Sequence, residues 1–222
     1  MPSIGSLNEK PLHAALKAWY AQPGDHLEAR VDGYVIDILR GDLLLEIQTR
    51  GFASIKAKVV KLAQTHPIRV IYPIPVEKWI VKPDGEGWTR RRSPRRGRVE
   101  DLFREMVSFP QLLLNPSFSL EVLFIREEEL RRYDGRRLFR RRGWVTQERR
   151  LLEVTGRRVF ENPSDWLALL PDRCSEPFTV HNLAEALGIG NRLAGRMAYC
   201  LCKAEVIHPV GKRGRAVVYG VV

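Results

Sequence analysis

The chain has 222 residues, with 37 Lys and Arg against 26 Asp and Glu, a formal net charge of +11. That excess favours a polyanionic partner, nucleic acid or an anionic surface, and 44% apolar residues is ample for a folded core. No apolar run is long enough to span a bilayer and there is no signal-peptide start, so a cytoplasmic protein with no membrane partner is expected.

Residues 8–20 read as a helix capped by Asn8, with Pro11 in the first turn, where a missing N–H is harmless. Leu12, Ala15, Leu16 and Trp19 form an apolar stripe at i, i+3, i+4 and i+7. Glu9 lies one turn before Leu12 and His13 and points toward the same inner face. It also suits a first-turn charge favoured by the helix dipole.

Residues 31–48 read as two apolar strands joined by a tight turn, with Asp37 in one and Glu46 in the other. An unpaired buried carboxylate is costly, so each must neutralise or find a cation. A two-residue loop at Gly41-Asp42 pairs Arg40 with Leu43 and sets Asp37 opposite Glu46. A loop at Arg40-Gly41 makes them diagonal neighbours. In both registers the carboxylates share a face, and Gln48 joins them by the period of two. Like charges across a ladder repel, and a divalent metal between them reverses the sign. The alternative is one carboxylate exposed at a strand end and the other paired with a lysine.

Ser54 is placed to cap a helix from Ile55 to about Gln64, with Ile55, Val59, Val60, Leu62 and Ala63 as its buried arc. At about 100° per residue Lys56 falls inside that arc, Lys58 on its edge and Lys61 outside. A lysine inside the arc snorkels to solvent or reaches the carboxylates. Residues 68–74 then read as a core strand after the His66-Pro67 turn.

This order of elements resembles the PD-(D/E)XK nuclease superfamily, which includes restriction enzymes and Holliday junction resolvases. The motif matches Asp37, then Glu46-Ile47-Gln48 as the E-x-K tripeptide, with Glu9 as the acidic residue of the first helix, over roughly residues 6–75. The resemblance implies an α/β (α+β) restriction-endonuclease-like core with a mixed central sheet. It implies Asp37 and Glu46 as metal ligands, and Glu9, Asp37, Glu46, Gln48 and Lys56 as the catalytic set. The sequence departs at Gln48, where the family most often has lysine, and Lys56 is the candidate for a lysine migrated to the next helix. Hard oxygen ligands suit Mg²⁺ or Mn²⁺ rather than zinc. Such a metal polarises a phosphodiester and helps generate hydroxide, and a nearby lysine stabilises the developing charge. Gln48 can only orient and hydrogen-bond.

Further along, a strand at 79–82 precedes a basic loop at 89–98 holding Arg90, Arg91, Arg92, Arg95 and Arg96. A second basic run spans 131–142, with Tyr133, Phe139 and Trp144 interleaved. Both suit phosphate contact, or are solvated charge runs. Residues 99–109 read as an amphipathic helix and 118–125 as a strand that extends the sheet of a first domain, 1–145.

Residues 146–222 read as a second module. A strand at 151–160 and a short helix at 163–170 come first. Thr179 then caps a helix through Leu187, Asn191 caps another to about Lys203, and a hairpin follows at 206–221. This resembles a winged helix-turn-helix. Leu193, Met197, Cys200, Leu201 and Ala204 face the core. Arg192, Arg196, Tyr199 and Lys203 lie opposite, as suits a major groove, and Lys212 and Arg213 sit in the wing. The other reading has the module dock on a protein or on the chain's own first domain. The three cysteines, Cys174, Cys200 and Cys202, make no disulfide framework, and with no further Cys or His at ligand spacing they make no zinc site.

The expectation is therefore a metal-dependent endonuclease using Mg²⁺ or Mn²⁺ on double-stranded or branched DNA, with a homodimer left open. The alternative is a non-catalytic DNA-binding or regulatory protein with an inactive core, which Gln48 favours. RNA processing by the same site is a third.

Overall fold

Chain reversals near the start of the molecule set the sheet. The computed structural model describes residues 10–135, 143–174 and 177–222. Helix α1 (Pro11–Tyr20) precedes β1 (His26–Val31), β2 (Tyr34–Arg40) and β3 (Leu43–Ile47). Asp32 and Gly33 both take positive φ, +48° and +82°, the conformation a two-residue hairpin turn demands, and β1 pairs antiparallel with β2 across them. The β2–β3 ladder runs through Arg40/Leu43, Leu39/Leu44 and Ile38/Leu45, the register of a Gly41-Asp42 turn.

A 3₁₀ turn at Phe52–Ser54 and helix α2 (Lys56–Leu62) carry the chain over to β4 (Ile68–Asp84), parallel to β3. Strand β5 (Gly87–Arg92) folds back on the far half of β4. Helix α3 (Phe103–Met106), between 3₁₀ turns, leads to β6 (Phe118–Tyr133), parallel to β4, and β7 (Trp144–Phe160) closes the sheet antiparallel to β6. The result is a mixed seven-stranded sheet, ordered β1-β2-β3-β4-β6-β7 with β5 on β4.

Several elements run longer than their patterns suggest. The strands expected at 68–74 and 79–82 are one strand, because a register shift between Pro75 and Glu77 absorbs the proline without ending the ladder. Residues 89–92 of the expected basic loop belong to β5. The far halves of β6 and β7 lack apolar alternation because ion pairs replace apolar packing there. Glu127 is buried against Lys78 at 2.8 Å and Arg149 at 2.6 Å, and Glu129 against Arg131 at 2.8 Å.

The two sheet faces bury different partners. On one, Leu12, Leu16 and Tyr20 of α1 pack on Ile38, Leu45, Ile47, Ile71, Leu123 and Ile125. The helix starts at Pro11 with Lys10 as its N-cap. The expected cap Asn8 lies outside the described residues. Trp19 is 48% exposed, so the buried stripe runs through Tyr20 instead. The other face carries α2, α3 and the C-terminal segment.

The expected domain boundary at 145/146 falls inside β7, an edge strand of the large sheet. After it come α4 (Pro163–Leu167), β8 (Phe178–Thr179), α5 (Val180–Leu187), α6 (Asn191–Lys203), β9 (Ile207–Arg213) and β10 (Ala216–Val221), with the three strands ordered β8-β10-β9. Thr179 caps α5 by accepting the Asn182 N–H, and Gly188 ends it at φ +61°. Gly190, rather than Asn191, is the N-cap of α6. One apolar core runs from Leu102, Phe103, Met106 and Phe109 into Trp166, Leu193, Met197, Cys200 and Leu201.

A continuous core couples the two parts. Urea unfolding followed by far-ultraviolet circular dichroism and by tryptophan fluorescence is expected to give one coincident transition. Met197→Ala is expected to lower stability by about 2–5 kcal/mol across that same transition. Two separated transitions would mean that the C-terminal part folds by itself.

Candidate active site

The β2–β3 ladder stops at Ile38/Leu45. Beyond it the Asp37 side chain takes over the role of a ladder carbonyl. Its Oδ2 accepts the Ile47 N–H at 2.8 Å and meets His13 Nε2 of α1 at 3.2 Å. Next to it in the sheet, Glu46 is 6% exposed. Lys58 of α2 places its Nζ 2.6 Å from Glu46 Oε1 and donates to the Val35 carbonyl at 2.8 Å. One ammonium therefore bridges β2 and β3 where their backbones part.

The electrostatics single out Glu46. Burial and then the charge of Asp37 push its carboxyl up to about 7, against the pull of Lys58 and His13. Among the described residues its Oε2 is buried with no hydrogen-bond partner. His13, Asp37, Glu46 and Lys58, from four different elements, thus act on one site. Among the described residues no group of three or more His, Cys, Asp and Glu side chains is placed to hold a metal. The pair still fits a hard divalent cation: both donors are carboxylates, and Glu46 Oε2 is an orphaned buried oxygen.

The other expected site residues fall elsewhere. Glu9 lies outside the described residues. Gln48 does not face the carboxylates. Its Nε2 donates to Ser54 Oγ at 2.8 Å and to the Gly51 carbonyl at 3.1 Å, and Ser54 Oγ donates to that same carbonyl at 2.9 Å. Ser54 is therefore a clamp on loop 48–54 and not a helix cap. Lys56 is exposed, and Lys58 takes its expected place. The reason is the helix start. With Ile55 as N-cap, Lys56 is the first helical residue, and its side chain leans toward the N-terminus, past the packed turns.

The basic residues divide. Arg90 stacks 4.1 Å from the Trp79 ring centroid and pairs with Glu128 at 2.8 Å, Arg92 pairs with Glu77 at 2.8 Å, and Arg95 lies 3.6 Å from Asp101. Arg91 and Arg96 are exposed without an ion pair among the described residues. On α6, Arg192, Tyr199 and Lys203 form an exposed line, while Arg196 is half-buried and donates to the Arg104 carbonyl at 3.3 Å. Arg196 thus faces the first part of the chain. Lys212 and Arg213 are exposed at the tip of the β9–β10 hairpin.

Sequence reasoning missed His13 and Lys58 as site residues. The placement of Lys58 on the edge of the helical arc was the available signal. It also missed a cavity of about 510 Å³ beyond Thr49, lined by Tyr72, Lys78, Arg104, Arg131 and Arg149 among others.

Residues 10–161 match the family described as "Domain of unknown function (DUF8091)", and the chain belongs to that family. The matched segment takes in the whole large sheet and ends with β7. An uncharacterized protein of Treponema pallidum (strain Nichols) is 29% identical over 221 residues, spanning 98% of this chain and 87% of its own length. No solved structure matches the chain.

The Glu46 carboxyl gives a pH signature. Its folded value is raised from 4.5 to about 7, so its stabilising share is complete below 4.5 and lost as pH climbs through 7. The urea midpoint of the wild type is expected to fall over that window by the equivalent of about 3 kcal/mol. In Glu46→Gln that fall is expected to vanish. A parallel pH profile for the two proteins would contradict the assignment.

Proposed function

We propose that the chain is a metal-dependent endonuclease of the PD-(D/E)XK type, with a restriction-endonuclease-like core and a C-terminal winged helix that adds DNA affinity. The observation that carries this reading is the placement of Lys58 at 2.6 Å from the buried Glu46, beside Asp37. It supplies from α2 the lysine that Gln48 does not.

Asp37 and Glu46 would hold Mg²⁺ or Mn²⁺, which when bound polarises a phosphodiester and lowers the pKa of water. The chain's own groups do the rest. His13 and the Ile47 N–H hold Asp37 Oδ2 in one orientation. Lys58, anchored on the Val35 carbonyl, keeps a fixed positive charge available for the developing phosphate charge. Glu46 binds a cation as its carboxylate, so its raised pKa places the gain of function near pH 7. The succession β8-α5-α6-β9-β10 supports the winged-helix reading. Arg192, Tyr199, Lys203, Lys212 and Arg213 are its exposed candidates for DNA contact.

A second reading, a non-catalytic DNA-binding protein, draws on the same ion pair. Lys58 already neutralises one oxygen of Glu46, so the site can persist without a metal. Nicking of supercoiled plasmid with Mg²⁺ or Mn²⁺ separates the two. On the nuclease reading the wild type nicks, with a rate that rises with pH and levels above about 7. Asp37→Ala and Lys58→Ala are each expected to lose about 100-fold or more in rate with DNA binding retained. Lys56→Ala should nick like the wild type. A wild type inert with both metals would leave the binding protein as the better account.

A further inference from the structure

The long strands end in an aromatic and cationic tip far from the carboxylates. Tyr133, the last residue of β6, pairs with Trp144, the first of β7, with ring centroids 5.7 Å apart and planes at 68°. Yet Tyr133 remains 62% exposed. Its ring is held in place all the same. Gly143 sits at φ +81°, and a Cβ there would come within 2.6 Å of Tyr133 Cε2, so a glycine lets the ring lie against the chain. The Asp134 N–H bonds the Gly143 carbonyl at 2.8 Å and closes that end.

A cation lies against the second ring. Lys82 Nζ lies 4.4 Å from the Trp144 ring centroid. Burial, then Arg131 and Arg91, push its ammonium below the usual lysine range, so three positive groups crowd one side of the tip. Arg131 is shared with Glu129 at 2.8 Å, while Arg91 has no ion pair among the described residues.

A fixed, exposed ring beside crowded cations matches one kind of ligand chemistry: a flat π-face carried on a polyanion. In a duplex the base faces are covered by their neighbours, so such a ring can engage only an unpaired base. We propose that the strand tip is a binding platform for single-stranded nucleic acid, in which Tyr133 stacks on an unpaired base and Lys82, Arg91 and Arg131 receive the flanking phosphates. This deepens the nuclease reading, on which it rests for its use, by pointing to a substrate with an unpaired portion.

Binding is measured on the full chain in EDTA, by fluorescence anisotropy with a labelled oligo-dT strand and with a labelled duplex. Loss of stacking and loss of cleavage are then read separately. Tyr133→Ala is expected to weaken strand binding about tenfold and leave duplex binding unchanged, while Tyr133→Phe, which keeps the ring, binds the strand as the wild type does. Lys82→Ala should lower the salt slope on the strand by about 0.7, one phosphate contact. Equal strand affinity for wild type and Tyr133→Ala would overturn the proposal. So would an equal loss on strand and duplex, or a loss in Tyr133→Phe as large as in the alanine variant.

Discussion

A carboxylate at 6% exposure beside another carboxylate is a local liability, and the near end of the sheet is arranged around it. Glu46 cannot be charged in that position without help, since burial and Asp37 both oppose it. Lys58 offsets part of the cost, and its second bond, to Val35, fixes it between two strands whose ladder has ended. Asp37 survives beside Glu46 because the Ile47 N–H and His13 take its Oδ2. The following loop is pinned from both sides: Gln48 and Ser54 converge on the Gly51 carbonyl, and Glu105 accepts the Phe52 N–H at 3.3 Å. That last bond links the loop to the segment on which the C-terminal helices pack, so the site and the second half of the chain share one framework.

Other acids in the sheet are equally buried and are handled differently. Burial alone would raise Glu129, but bonds from Arg131, Thr146 and Lys78 outweigh it and hold the carboxyl down to about 2. Arg149 clasps Glu127 through two nitrogens, at 2.8 and 2.6 Å. Glu129 is thereby kept ionised, and both acids act as struts that let β4, β6 and β7 run on past the apolar core. Glu46, raised to about 7 by burial and then by Asp37, is poised to change state near neutrality. The contrast separates a structural ion-pair network from the site to which the nuclease reading assigns a cation.

The near end of the sheet was legible because its signals are local and agree with one another. The turn at Gly41, the alternation along β2 and β3, and the misplaced acids all bear on the same few residues. The choice among Lys56, Lys58 and Lys61 was not legible, because it depends on the residue at which α2 begins. A shift of one position turns each lysine by about 100°. Gln48 and Ser54 carried motif and cap signals that their own mutual hydrogen bond overrode. The far halves of β6 and β7 were hidden because a strand stabilised by Arg–Glu pairs has no apolar period to read. The expected boundary at 145/146 follows a basic run, whereas β7 carries the large sheet on to Phe160. Arg196 shows the limit of helical-wheel reasoning: its face is set by α3, which no property of α6 reveals.

On the proposed nuclease reading Asp37 and Glu46 form one cation site whose occupancy depends on the ionisation of Glu46. Titration of the intact chain with Mn²⁺, followed by electron paramagnetic resonance at pH 6 and pH 8, tests this without requiring cleavage. The account predicts a single saturable Mn²⁺ at pH 8, markedly weaker binding at pH 6, and loss of the site in Asp37→Asn and in Glu46→Gln. Saturable binding that both variants retain, or none at either pH, would contradict it.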